Sequence, residues 1–165
     1  SLLMIARIES QQYLLEDKVE VRSILEEITG ELKPVADDKE IKLKEEYPDD
    51  GRFGLANRSL LFSMFYNVVN NAVKNTFQGG TITIKIQRVS GILRVVISDT
   101  GRGMNQEQLS ALFLRFSSRR SNDENGTGIG LAITKSIADL HQIEITVSSS
   151  PGNGTEFIFI FPENS

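Results

Sequence analysis

The stretch NVVNNAVKNT, residues 67–76, sets four asparagines among residues that otherwise read as a helix. Each costs roughly 0.6 kcal/mol relative to Ala at an interior position, so Asn67, Asn70, Asn71 and Asn75 together give up about 2 kcal/mol of local propensity. At 100° per residue, Asn67, Asn71 and Lys74 fall within an arc of roughly 60°. Met64, Val68, Leu61, Ala72 and Phe65 fill the adjoining arc, so the polar groups stand beside the core-facing stripe, where the wall of a half-buried pocket would be. Amide oxygens at i and i+4 suit Mg2+, which takes hard oxygen ligands, keeps several waters and is usually shared with substrate phosphates. Lys74 adds a cation for those phosphates. The polar flank of an ordinary helix accounts for the same residues.

Two further segments carry chemistry. SDTGRGM, residues 98–104, follows an apolar alternating run directly. There Asp99 presents a carboxylate acceptor able to take the exocyclic amino group of adenine, while Gly101 and Gly103 allow close backbone approach to a planar ligand. A tight turn capped by Asp is the plainer reading. NGTGIGLAI, residues 125–133, runs Gly126, Gly128 and Gly130 into a helix, whose free amides and positive dipole end suit phosphate oxygens. The spacing is neither G-x-G-x-x-G nor G-x-x-x-x-G-K-[ST], which excludes the dinucleotide fingerprint and the P-loop. Between them LFLRFSSRRSNDEN supplies Phe113 and Phe116 as lid anchors and Arg115, Arg119 and Arg120 as candidate phosphate contacts.

Helical spacing predicts an amphipathic helix over 2–15, a second over 20–36 with Val21, Ile24, Leu25, Ile28, Leu32 and Val35 on one stripe, and a long helix over 57–76 with Asn57 as N-cap. Gly30 and Pro34 weaken the second. Strands are expected at IKLKEEY and RFGLA, and an antiparallel hairpin at GGTITIKIQRV and GILRVVISD, turning at Ser90-Gly91. A short helix over 105–113, a polar loop over 117–128, a helix over 129–141 and the strands IEITVSS and GTEFIFIFP complete the chain. Leading helices interleaved with hairpin-linked strands argue for an α+β two-layer sandwich.

The 165 residues suit one such domain plus a short extension. A net charge of −4 with interspersed signs argues against an extended nucleic-acid surface. The absence of cysteine removes disulfides, thiolate nucleophiles and Cys-based zinc, and fits a reducing, cytoplasmic setting. No apolar run approaches the ~20 residues that span a bilayer, so membrane attachment would come only through segments outside these residues.

In order and spacing, the three segments resemble the N, G1 and G2 boxes of the ATP-binding catalytic domain of bacterial two-component sensor histidine kinases, with LFLRF similar to the F box; the likeness covers about residues 20–162. It implies the GHKL sandwich shared with gyrase, MutL and heat-shock chaperone ATPases: a mixed, mostly antiparallel sheet covered on one face by helices. The cofactors implied are ATP and Mg2+. Carried over, Asn71, helped by Asn67, would hold the metal, Lys74 would meet phosphate, and Asp99 would bind adenine in a pocket shaped by Gly101, Gly103 and Met104. Asn75, Phe113, Phe116, Gly126, Thr127, Gly128, Ile129, Gly130 and Leu131 would frame base, lid and phosphates, with Thr155 near the adenine and Arg115 and Arg119 assisting transfer. Residues 1–16 resemble the tail of the dimerisation hairpin, leaving 17–165 as the catalytic domain. Two positions depart from the pattern: Asn75 stands where an aromatic often stacks on adenine, and HQI replaces HGG after the last helix.

The hydrolysing relatives place a Glu one turn before the metal-binding Asn; here that position is Asn67. An amide cannot take a proton at neutral pH, so the expected chemistry is phosphoryl transfer to a histidine on the dimerisation domain rather than hydrolysis. The one histidine, His141, is followed by Gln142 and reads as structural. The expected partners are the chain's own dimerisation domain, in a homodimer, and a cognate response regulator. A gyrase- or MutL-type ATPase clamp and a non-catalytic nucleotide sensor are the alternatives.

Overall fold

The computed structural model describes residues 2–10, 12–117 and 127–163. Along the described chain the elements are α1 (Leu2–Glu9), β1 (Asp17–Glu20), α2 (Val21–Asp38), β2 (Lys42–Glu46), β3 (Arg52–Ala56), α3 (Arg58–Asn75), β4 (Thr81–Val89), β5 (Ile92–Asp99), α4 (Gln106–Ser117), α5 (Thr127–Leu140), β6 (Glu144–Ser149) and β7 (Thr155–Ile160). A five-stranded sheet has the order β2-β4-β5-β7-β6; β2 runs parallel to β4 and the remaining pairs are antiparallel. The α+β, mostly antiparallel architecture is therefore the expected one.

Alternation decides which sheet face is covered. Ile82, Ile84 and Ile86 on β4, Leu93, Val95 and Ile97 on β5, and Phe157 and Phe159 on β7 are all buried against the helical layer. From α3, Leu61, Met64, Phe65, Val68 and Val69 meet them at i, i+3, i+4 and i+7 spacing. Phe65 stands edge-on to Phe159 at 5.0 Å between centroids, and Phe161 makes the same contact with Phe53, also at 5.0 Å. Each pair adds about 1 kcal/mol beyond the area it buries, and the Phe65–Phe159 pair fixes the rotation of α3 over the sheet.

The start of α3 is held from several directions. Asn57 Oδ1 accepts from Leu60 N–H at 3.1 Å, as an N-cap should, and Asp17 Oδ2 accepts from Arg58 N–H at 3.0 Å. The Asn57 N–H donates to His141 Nε2 at 3.0 Å, while His141 Nδ1 lies 2.8 Å from the Ile137 carbonyl oxygen. A ring that accepts at Nε2 and donates at Nδ1 is the neutral tautomer, and burial holds its pKa below the usual 6.5. Because the unfolded chain takes the proton more readily, stability is full above pH 6.5. It declines as pH falls below that value, by up to about 1.4 kcal/mol per pH unit, until the folded-state pKa is crossed. Denaturant melts between pH 7.5 and pH 5.5 should show this loss in the native chain and a flatter profile in His141→Gln.

Several boundaries differ from those expected. Helix α1 ends at Glu9 rather than continuing to 15, because the apolar spacing lapses and Leu14 is exposed. Its Ile5 and Ile8 join the common core. Strand β1 was not expected: three of its four residues are polar, and only pairing with β3 in a separate two-stranded sheet makes it a strand. Helix α2 runs through Pro34 to Asp38, since both Pro34 and Gly30 face solvent and the Gly30 carbonyl freed by the proline is available to water. Val35 is exposed, and Ala36 takes its place on the buried stripe. Helices α2 and α5 end alike: Ile41 N–H and Ile143 N–H return to the carbonyls of Ala36 and Ala138, with Glu40 and Gln142 at positive φ. Gln142 thus occupies the left-handed position at which HGG would supply a glycine.

Candidate functional site

A cleft of about 280 Å3 opens between the C-terminal half of α3, the turn that follows β5, and helices α4 and α5. Asn71, Ala72 and Asn75 form one wall; Asp99, Arg102, Gly103 and Met104 form the floor and rim. Gln108, Ala111, Leu112 and Leu131 line the side toward α4 and α5, and Thr155 and Phe157 line it from β7. The periodicity of α3 explains the first wall: Ala72 is buried with the core stripe while Asn71 and Asn75, one turn apart, are half-buried beside it.

Asp99 closes β5 and is paired in register with Ile82 on one side and Thr155 on the other. Its Oδ1 accepts from Gly101 N–H at 2.8 Å, which leaves further lone pairs for a ligand. Burial pushes the Asp99 carboxyl above the ordinary range, and the backbone N–H groups of Gly101 and Thr155 pull it part of the way back. Three glycines are obligatory here: on Gly103, at φ +67°, a Cβ would lie 2.0 Å from the Ser150 carbonyl oxygen. A Cβ on Gly101 would lie 2.3 Å from the Asn75 carbonyl oxygen, which also accepts Arg102 N–H at 3.3 Å; this contact seats the turn on the end of α3. A Cβ on Gly154, at φ +76°, would lie 1.8 Å from the Asp99 carbonyl oxygen.

A larger cavity, about 430 Å3, lies at the opposite end of β5, lined by Lys18, Phe53, Arg88 and Leu93 among others. Two of its charged groups, Arg52 and Arg88, face Glu20 and Asp49 at 3.6 and 3.0 Å, and no carboxylate acceptor there matches the half-buried Asp99. Convergent polar groups around an apolar slot, rather than size, make the smaller cleft the candidate site.

Of the residues anticipated from sequence, Asn71, Asn75, Asp99, Gly103, Met104, Leu131 and Thr155 meet in this one cleft, and Gly101 supports it. Asn67 stands one turn earlier on α3, half-buried, and Lys74 is exposed; neither lines the cleft. Phe113, Arg115 and Phe116 fall on α4, and Thr127, Gly128, Ile129 and Gly130 on the first turn of α5, with their side chains outside the described residues. Arg119, Arg120 and Gly126 lie wholly outside them. Residues not anticipated are Arg102, Gln108, Ala111, Leu112, Phe157 and Ser149. Arg102 lies inside the SDTGRGM segment, and its guanidinium also sits 5.9 Å from the exposed Phe77 ring. Phe157 was readable as an inward position of β7; Gln108 and Ser149 carry no sequence signal of their own.

A family model described as histidine kinase-, DNA gyrase B- and HSP90-like ATPase matches residues 56–165. The chain belongs to this family. Membership implies a nucleotide-binding domain. The sensor-like histidine kinase SenX3 of Mycolicibacterium smegmatis is 31% identical over 166 residues, covering 98% of this chain and 43% of that protein. Drug sensory protein A of Synechocystis is 32% identical over 169 residues, covering 95% of this chain and 26% of that protein. The chain thus spans less than half the length of these curated relatives. Among solved structures, full-length ShkA in complex with AMPPNP superimposes with a TM-score of 0.81 at 23% identity, covering 98% of this chain and 34% of that one. The catalytic domain of histidine kinase ThkA does so with 0.76 at 24%, covering 92% and 96%. These two likenesses are of fold.

Proposed function

We propose that this chain is the ATP-binding part of a sensor histidine kinase, and that its cleft holds ATP for transfer of the γ-phosphoryl group to a histidine on a dimerisation hairpin. The observation that carries the reading is the placing of Asp99 and Asn71 on two walls of one apolar-sided cleft. A base donor would be met by the Asp99 carboxylate, and the Asn71 amide oxygen would serve the phosphates. The AMPPNP bound by ShkA and the histidine kinase names of the relatives support it.

The donor set fits a metal that arrives with the nucleotide. Among the described residues no three His, Cys, Asp or Glu side chains gather into a metal cage. The Asn71 amide oxygen, helped by Asn67, would complete a shell made mostly of phosphate oxygens and water, as Mg2+ prefers. Mg2+ bound there would neutralise phosphate charge. Asn67 cannot act as a base toward water, so the triphosphate persists until a protein nucleophile reaches it. His141 is not that nucleophile, because both its ring nitrogens are engaged between α5 and α3.

In this reading α1 is the end of the hairpin helix, docked on the catalytic domain through Ile5 and Ile8. The partners are that hairpin, within a homodimer, and a response regulator. No helix among the described residues is long and apolar enough to cross a membrane. By its likeness to sensor histidine kinases, this part would work on the cytoplasmic side. The test is γ-labelled ATP mixed with the chain and a separately supplied hairpin. Label in acid-labile, base-stable phosphohistidine, with little free phosphate, is the expected result. Rapid phosphate release with an unlabelled hairpin would contradict it.

A further inference from the structure

Three hydrogen bonds converge on Ser149, at the end of β6. Its Oγ lies 2.8 Å from Met104 N, 2.8 Å from the Gly154 carbonyl oxygen and 2.9 Å from Thr155 Oγ1. A hydroxyl has one proton to give and two lone pairs to receive with. A carbonyl can only accept, so the Ser149 proton goes to Gly154. An amide N–H can only donate, so Met104 fills one lone pair. The contact with Thr155 is then settled as well: the Thr155 hydroxyl must donate to Ser149.

The consequence lies in the cleft, which Thr155 lines and Ser149 does not. With its single proton committed to Ser149, Thr155 Oγ1 offers the cleft lone pairs only. Asp99, its register partner across β5 and β7, is likewise an acceptor. We propose that Ser149 is a positioning residue that locks the Thr155 hydroxyl as an acceptor, so that Thr155 and Asp99 together select a 6-aminopurine and reject a 6-oxopurine. This rests on the nucleotide reading above and deepens it. An exocyclic amino group brings two N–H donors to the two acceptors, whereas a 6-oxo group sets a third acceptor against them. A freely rotating Thr hydroxyl would have served either base.

The test is the ratio of affinities for ATP and GTP, with Mg2+, measured by calorimetry on the native chain, Ser149→Ala and Thr155→Val. The native chain should prefer ATP. Ser149→Ala releases the Thr155 proton to turn toward a 6-oxo group, and the preference should fall about tenfold. Thr155→Val keeps the Ser149 bonds to Met104 and Gly154, so it stays folded even if Ser149→Ala does not. It should weaken ATP about tenfold while leaving GTP unchanged or tighter. If either folded variant weakens ATP and GTP by the same factor, Ser149 and Thr155 are merely structural and the proposal is overturned. If the native chain binds ATP and GTP equally, the selection is absent. If it binds neither, the nucleotide reading itself fails, and the proposal with it.

Discussion

Asn71→Ala is expected to weaken Mg-ATP binding about 100-fold while raising the stability of the nucleotide-free chain. The two effects have opposite signs because one arises at the ligand and the other in the helix backbone. In the proposed function the amide oxygen would be the metal contact offered by the cleft wall, and a hydrogen-bonding or coordinating group directed at charge is worth roughly 1.5–3 kcal/mol. On the helix itself, Ala is better than Asn by about 0.6 kcal/mol. Asn71 is half-buried at the cleft, so its truncation opens no core cavity. Adenosine, which carries no phosphate and recruits no metal, should bind the variant and the native chain alike. Calorimetry with Mg-ATP and with adenosine, beside a thermal melt, reads all three quantities; equal loss for both ligands would move Asn71 to the base end of the cleft.

Gly154→Ala is expected to cost about 3 kcal/mol and lower the melting temperature by roughly 10 °C, with nucleotide binding lost as well. The new methyl group would be placed 1.8 Å from the Asp99 carbonyl oxygen, a backbone atom held in the β5–β7 ladder. Relief requires prising Asp99 from Thr155, the two acceptors proposed to face the base. Gly152→Ala is the matched control. Its φ of +78° is nearly the same, yet nothing lies within 4 Å of its Cβ, so it should show only the strain of a left-handed residue, about 1 kcal/mol. If the two variants melt together, the close approach at Gly154 is not what that position enforces.

How far the sequence foretold this molecule depends on the range of the forces involved. The covered sheet face was legible because alternation at Ile82, Ile84 and Ile86 and the 3.6-residue stripe on α3 are local patterns with one burial solution. Asn71 was legible because helical periodicity sets it beside the core-facing stripe of α3, Asp99 because it closes an alternating strand, and Thr155 only through the family resemblance. Strand β1 was not, because Asp17–Glu20 becomes a strand only through pairing with Arg52–Ala56, over thirty residues away. Ser149 was missed for a related reason: its role is a count of hydroxyl protons among Met104, Gly154 and Thr155, which no single-strand pattern records. The end of α1 failed on an energetic point, since propensity continued past Glu9 while apolar partners did not.

The central claim is that one nucleotide lies with its base at Asp99 and its phosphates toward Asn71. A crystal structure of the chain with Mg2+ and a non-hydrolysable ATP analogue tests this most directly. The account predicts the adenine amino group within hydrogen-bond distance of the Asp99 carboxylate and of Thr155 Oγ1, with the Asn71 amide oxygen on the metal. A nucleotide seated in the larger cavity beside Lys18, Phe53 and Arg88, or a metal ligated away from α3, would contradict it.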